Sequence, residues 1–415
     1  MLKSHEKKNL GTLNFRQIHP FPARMAPGIA LDALGESKTS LRVLDPMAGS
    51  GTTLVAARLR GHTAIGFDRD PLAVLIASTW VADFDAVQVS KKAAEVLERA
   101  ERRSRLLTTN SAYPDGTDDE TKEFIGYWFD AGNRKELTAL ATSISGVRDE
   151  QIKNVLWCAF SRLIITKEAG ASLAMDVSHS RPHRSFDKAP HRAFEHFLHA
   201  VRYIAKAAPF NTQGDTQPSA TVKDADARKM PLDDGNVNLI ITSPPYLNAI
   251  DYLRGHKISL VWMGHSIASL RLLRATNIGT EVSAKSSAPE LPTDSVMSRM
   301  CSGETLDSRH QGMLRQYVRD LRALLKECHR VLTSEGKGVF VVGDCSLRKT
   351  FVANSTAIEL VGNEVGFRVE ASRRRPLPEN RRYLPPPEVK SAGKALQKRM
   401  REEVILTLRK SCLAV

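Results

Sequence analysis

Leu41-Arg-Val-Leu-Asp45, followed at once by Pro46-Met47-Ala48-Gly49-Ser50-Gly51-Thr52-Thr53, constrains the fold more than any other stretch of the chain. A short apolar run closes on a carboxylate, a glycine-rich turn comes next, and Thr52–Arg60 carries a helix pattern that Gly61 stops. A second apolar run, Thr63–Phe67, ends on Asp68, and Pro71 opens a further helical stretch to about Trp80. Strand, helix, strand, helix is the pattern of a parallel sheet covered by helices on both faces.

The pattern changes between Val81 and Pro209, where long helical stretches (Ser90–Leu107, Glu136–Ile144, Gln151–Ile165) are broken by Asn110–Glu120 and by the His/Arg/Ser-rich Ser178–Arg192. A polar linker, Asn211–Ser219, leads back to strand-like Ala220–Lys223 and Val237–Ile241. Ser266–His310 shows no clear period and reads as a mobile loop. Gly312–Leu332 has an amphipathic helix pattern, Gly338–Gly343 that of a buried strand, and Ala353–Glu364 that of a helix stopped at Gly366. Phe367–Ala371 and Glu403–Leu408 read as two closing strands around a basic, proline-rich loop, 372–401, forming an antiparallel edge. Residues 1–80 and 211–415 are thus expected to be two parts of one α/β domain, with 81–210 a helical insertion.

Two constellations carry chemistry. Glycines 49 and 51 at a strand end let the backbone approach a ligand, and the helix starting near Thr52 offers unpaired amides and positive dipole to a nucleoside with a carboxylate tail. Asp68, ending the next strand, suits both hydroxyls of a ribose; Asp70 competes for that role but also fits as an N-cap ahead of Pro71. The second constellation is Thr242-Ser243-Pro244-Pro245-Tyr246, just past an apolar strand. Paired prolines make a stiff turn in which the Ser243 hydroxyl oxygen and the Pro244 carbonyl can accept both hydrogens of an amino group, while Tyr246 offers a face for stacking a base.

Bulk properties narrow the partners. A net charge of +14 favours a polyanion. The five cysteines (Cys158, Cys301, Cys328, Cys345, Cys412) form no CxxC pair, which points to a reducing compartment. The histidines His179, His183, His191, His196 and His199 lack the spacing of a ligand quartet, so no metal is expected. The charged start and the lack of any long apolar run point to a protein that is neither exported nor membrane-spanning.

Taken together, Asp45–Thr53 and Ser243–Tyr246 resemble the DPFxGSGTT-like loop and the (D/N/S)PP(Y/F) motif of the S-adenosylmethionine-dependent DNA amino-methyltransferases, the N4-cytosine and N6-adenine enzymes. Met47 stands where that family usually has Phe, and the loop precedes the catalytic turn, an order the family uses. The resemblance implies a Rossmann-like seven-stranded sheet, mostly parallel with the last strand antiparallel, and S-adenosylmethionine as cofactor. It assigns cofactor contacts to Asp45 through Thr53 and to Asp68. Asp226 and Ala227 match the family's GDxR turn without its glycine, with Asp224 as competitor, and Phe21 and Pro22 fall in a segment, His19–Arg24, that closes over the cofactor. Catalysis falls to Ser243, Pro244, Pro245 and Tyr246, the Ser form pointing to cytosine N4 before adenine N6.

Carbon-5 methylation needs a cysteine nucleophile, and none lies near Ser243. The target base must be flipped from double-stranded DNA. The DNA contacts expected are Arg254, His256, Arg373, Arg374, Arg375, Arg381 and Arg382, with the insertion as a further DNA-contacting or target-recognition region. An RNA guanine-N2 methyltransferase and a non-catalytic DNA-binding regulator are the other readings. A cytoplasmic, nucleoid-associated enzyme with a cognate restriction endonuclease or defence partner completes the expectation.

Overall fold

The computed structural model describes residues 15–22, 24–37, 39–179, 182–210, 218–245, 247, 251–279, 291–303, 306–347, 350–377 and 402–411. Its frame is one sheet of β1 (Arg42–Asp45), β2 (Thr63–Asp68), β3 (Ala220–Asp224), β4 (Val237–Thr242), β5 (Leu332–Val342), β6 (Phe367–Pro376) and β7 (Glu402–Lys410). The spatial order is β6-β7-β5-β4-β1-β2-β3. Pairing is parallel from β3 through β5, while β7 runs antiparallel to both β5 and β6. This is the Rossmann-like methyltransferase sheet with an antiparallel last strand that the resemblance implies.

The helices are α1 (Pro27–Leu34), α2 (Thr52–Leu59), α3 (Pro71–Val81), α4 (Ala86–Leu106), α5 (Asp119–Trp128), α6 (Ala131–Ser145), α7 (Glu150–Ile164), α8 (Ala193–Ala207), α9 (Tyr252–Leu260), α10 (Ile267–Ala275), α11 (Leu291–Met300), α12 (Ser308–Val331) and α13 (Asn354–Glu364). Successive strand residues face opposite layers, as the period of two requires. Val43, Leu239, Ile241, Val339 and Val341 pack into the layer holding α1, α2, α3 and helices α4–α8. Leu44, Ile240, Phe340 and Val342 pack against α11, α12 and α13.

Helices α4–α8 lie in the chain between β2 and β3; α4, α6, α7 and α8 pack on one another, α7 packs against α3, and α5 packs against α10. Four of them start at aspartates whose side chains accept from amides of the first turn: Asp85, Asp118, Asp130 and Asp149. No helix among the described residues is long and apolar enough to cross a membrane.

Three segments differ from the sequence expectation. α5 begins at Asp119, inside the stretch that reads as a break. The described parts of 266–310 hold helices α10 and α11 rather than a continuous loop. β6 continues through Arg373, Arg374 and Arg375, which the sequence pattern assigns to the loop 372–401; its register on β7 runs out to Pro376 opposite Glu402. Backbone pairing holds this edge strand although most of its side chains are exposed.

Candidate active site

Because β1, β2, β4 and β5 are parallel, their carboxyl ends meet at one edge of the sheet, the place where open α/β sheets bind ligands. A cavity of about 550 Å³ opens there. It is lined by Phe21 and Pro22, by Asp45–Ser50, Thr52 and Thr53, by Asp68, by Asp226 and Ala227, and by Ser243–Pro245. Residues far apart in the chain, singled out from sequence for one site, therefore share one cavity.

Each strand end fixes its side chain. Asp45 is 3% exposed and acts as a brace: its Oδ1 accepts from the Thr242 hydroxyl at 2.7 Å and the Met47 amide at 3.2 Å, while burial raises its carboxyl to about 6. Thr53 donates to the Ile241 carbonyl at 3.2 Å, a second tie between the glycine loop and the strand that leads into Ser243. Gly51 is the N-cap of α2 with φ +88°, a conformation L side chains avoid, and no side chain caps the first amides of that helix. Beyond the turn, the Leu247 amide donates to Asn354 Oδ1 at 3.4 Å and the Cys345 thiol to the Leu247 carbonyl at 3.2 Å, so the exit of the Ser-Pro-Pro turn is pinned to α13.

Asp68 accepts from the Gly49 amide (Oδ2, 2.8 Å) and the Asp70 amide (Oδ1, 2.9 Å), which orients it beside the glycine loop and leaves further lone pairs free. Burial and the charge of Asp70 push its carboxyl up to about 7. Both Asp70 oxygens are engaged within the protein: one caps α3 at the Leu72 amide (2.9 Å) and the other receives His256 Nδ1 (2.6 Å). Asp226 is held by Arg228, whose backbone amide and guanidinium both donate to it. The same guanidinium reaches Asp320 at 2.6 Å and the Thr276 carbonyl at 2.8 Å. Asp224 is exposed and faces Arg69 at 3.8 Å.

The N-terminal segment is fastened from the other side. His19 is buried; its Nδ1–H donates to the Pro20 carbonyl at 2.7 Å, and Ser161 on α7 lies 3.0 Å from Nε2. Burial and the nearby Arg162 guanidinium hold its pKa well below the ordinary value, so the ring is neutral and Nε2 accepts from Ser161. Arg162 donates to the Ile18 carbonyl (2.8 Å) and Tyr203 to the Gln17 carbonyl (3.1 Å). This delivers Phe21 to the cavity, where its ring stacks on Tyr252 with centroids 5.2 Å apart.

Of the expected DNA contacts, Arg254 and Arg375 line the cavity. Arg373 lies 3.5 Å from Asp32, and Arg374 lies 3.5 Å from Glu402. His256 is a correction: at 2% exposure, with Nδ1 on Asp70, it is inside the protein and presents no surface to DNA. Tyr246, Arg381 and Arg382 lie outside the described residues. The cavity wall also includes Arg24, from the His19–Arg24 segment read in the sequence, Ser178, from the His/Arg/Ser-rich patch, and Lys167, Asp251, Tyr252 and Arg274, to which sequence patterns do not point. Asp251 and Tyr252 sit close behind the Ser-Pro-Pro turn, a positional signal; Lys167 comes from the stretch between β2 and β3 and has none.

No family model matches the chain. Among curated proteins it is 22% identical over 277 residues to the type II methyltransferase M.BsoBI of Geobacillus stearothermophilus, covering 60% of this chain and 52% of that one. It is also 21% identical over 354 residues to M.MvaI of Kocuria varians (80% and 77%) and 23% identical over 375 residues to M.AvaI of Nostoc (81% and 75%), both type II methyltransferases. The chain is similar to type II methyltransferases. It spans about half the length of M.BsoBI, and three quarters or slightly more of the other two. Solved structures overlap only loosely: a SAM-dependent methyltransferase of Methanosarcina mazei at 8% identity, 93% and 98% coverage and TM-score 0.33, and a TehB-like one of Corynebacterium glutamicum at 9%, 93% and 87%, and 0.30. Superpositions this loose add nothing to the strand order described above.

Proposed function

We propose that the chain is an S-adenosylmethionine-dependent DNA methyltransferase acting on the exocyclic amino group of a flipped base, with cytosine N4 as the target. One observation carries the reading: the glycine loop, Asp68, Asp226 and the Ser243–Pro245 turn line a single cavity at the carboxyl edge of the sheet. Similarity to type II methyltransferases supports it.

The residues suit the cofactor. Gly49 holds φ +51°, a conformation L side chains rarely adopt, so the loop presents bare backbone beside a ligand. Asp68 would accept from the ribose hydroxyls, Asp226 from the adenine amino group, and the uncapped first amides of α2 would hold a carboxylate. When bound, S-adenosylmethionine supplies an electrophilic methyl group.

The chain's own contribution is positioning. A base amino nitrogen is a poor nucleophile because its lone pair is delocalised into the ring. Acceptors at Ser243 Oγ and the Pro244 carbonyl take both N–H bonds, favour a pyramidal nitrogen and turn its lone pair into the cavity. Tyr246 stacks the flipped base, and Arg254, Arg373, Arg374, Arg375, Arg381 and Arg382 hold the distorted backbone. Cytosine is preferred over adenine because Ser243 stands where an Asp would otherwise be. The enzyme works on chromosomal DNA in the cytoplasm, with a restriction endonuclease for the same site as its counterpart.

Incubation with tritiated S-adenosylmethionine and unmethylated genomic DNA, tRNA or buffer, followed by nucleoside mass spectrometry, tests this. N4-methylcytosine in DNA, reduced at least tenfold by Ser243→Ala, is expected on the scale of a misplaced reacting group. Label confined to tRNA overturns the reading, and N6-methyladenine replaces the target base.

A further inference from the structure

His256 sits on the helix that follows the Ser-Pro-Pro turn, and the reaction above gives it no part. Its Nδ1–H donates to Asp70 Oδ2 at 2.6 Å. Asp70 is itself buried, its Oδ1 caps α3, and its amide donates to Asp68 Oδ1. The Gly49 amide completes the grip on Asp68 at Oδ2. On its other side the imidazole lies 5.4 Å from the Phe21 ring and 6.2 Å from that of Tyr252. Phe21 comes back to the glycine loop, 3.4 Å from where a Cβ of Gly49 would be.

The contacts therefore close on themselves, Gly49 to Asp68 to Asp70 to His256 to Phe21 to Gly49. Every member except His256 lines the cavity. His256 is the link that joins the polar half of this ring to its aromatic half. It is also costly to keep: its Nε2 is buried with no hydrogen-bond partner among the described residues, and an unpaired buried nitrogen subtracts from stability. A phenyl ring would pack there without that loss, so the feature that distinguishes histidine is the Nδ1–H given to Asp70.

We infer that His256 is a positioning residue for the nucleoside cofactor, fixing the Asp68 turn through Asp70 and the aromatic wall through Phe21 and Tyr252. The inference rests on the cofactor reading proposed above. It replaces the surface role that sequence assigns to this residue.

The test uses the full chain and two variants of opposite character. His256→Phe keeps the ring and removes the donor. His256→Asn gives up the ring and places an amide N–H near the position of Nδ1. The dissociation constant of S-adenosylhomocysteine is measured by calorimetry, alongside KM for S-adenosylmethionine, kcat on DNA and the melting midpoint. His256→Phe should raise Kd and KM about tenfold, the size of one charge-assisted hydrogen bond, with kcat within about twofold, because the residue acts here on binding. His256→Asn should bind more tightly than His256→Phe.

Wild-type affinity in both variants overturns the inference. So does equal weakening in both that tracks only their melting midpoints, because that is the signature of packing. If His256→Phe melts below the assay temperature, His256→Leu, which likewise removes the donor and leaves the Asp70 charge in place, is read in its place with the same expectation. A wild-type chain that does not bind S-adenosylhomocysteine overturns the cofactor reading and this inference together, whereas wild-type binding with unchanged variants overturns this one alone.

Discussion

Substituting alanine at Gly51 separates two costs that the glycine loop avoids. The first is conformational: φ at Gly51 is +88°, and an L residue there costs about 1–2 kcal/mol. The second is steric. The new Cβ would lie 3.0 Å from Ala77 Cβ and 3.1 Å from Ala77 Cα. Ala77 is fully buried on α3, so the clash meets backbone in a packed core and not a flexible side-chain end; overpacking of that kind costs about 1–3 kcal/mol. Gly51→Ala should therefore lose about 2–5 kcal/mol. Gly61, at the other end of α2, isolates the first cost: its φ is +81° and nothing lies within 4 Å of its added Cβ. Gly61→Ala should lose only about 1–2 kcal/mol. Urea unfolding at constant slope gives both values, and calorimetry with S-adenosylhomocysteine should show weakened binding in Gly51→Ala alone. Equal losses in the two variants would refute the reasoning, since they would mean that α3 yields to the extra methyl and the loop is not set by that contact.

Asp68 should make both stability and cofactor binding depend on pH. Its folded carboxyl, at about 7, lies above the unfolded value of about 4, so the native state holds the extra proton and stability falls as pH rises between those values. Asp68→Asn should flatten that decline in urea midpoints, and in the wild type S-adenosylhomocysteine should bind more tightly at pH 8 than at pH 6, since ribose hydroxyls need an ionised acceptor; a flat profile counts against the assignment. Arg228→Lys gives up a fork that serves Asp226, Asp320 and the Thr276 carbonyl at once, and should cost about 1–3 kcal/mol in urea unfolding, because an ammonium cannot reproduce that geometry. Arg254→Ala and Arg375→Ala should each lower the slope of log affinity for DNA against log salt by about 0.9 for every phosphate left unneutralised, read by fluorescence anisotropy; unchanged slopes would remove these residues from the DNA face.

What can be read from sequence is whatever short-range pattern encodes. The run from Leu41 to Asp68 yields its strands, turn and helix because apolar period, glycines and Pro71 all act locally. α5 escapes the periodicity although Asp118 ahead of it is a capping signal, as are Asp85, Asp130 and Asp149 ahead of α4, α6 and α7. α10 is short, and its Ser266 cap, which accepts from the Ser269 amide, does not stand out in a stretch rich in serine and threonine. β6 reads short because arginines on an exposed edge strand carry no hydrophobic alternation; its order comes from backbone bonds to β7. His256 looks like a surface cation because its partner, Asp70, lies far away in sequence, and no local rule reports burial made by a distant carboxylate. Lys167 reaches the cavity through the packing of the segment between β2 and β3, which composition does not encode.

The place of α4–α8 in the chain, between two strands that pair, bears on how the chain is made. β2 receives its outer neighbour only when Ala64 pairs with Ala220, after α4–α8 have all been synthesised. During translation the strand ending in Asp68 emerges early and then waits with one side unpaired, an open template for aggregation. Closing so long a loop costs little more than closing a short one, since the entropy grows with the logarithm of length, and contacts among α4, α6, α7 and α8 let that segment compact while it waits. A ribosome stalled within α4–α8 would leave a chain that owns the glycine loop and Asp68 but neither β3 nor the Ser-Pro-Pro turn. Pulse-labelled truncations ending before Ala220 should accordingly depend on chaperones more than those ending after Thr242.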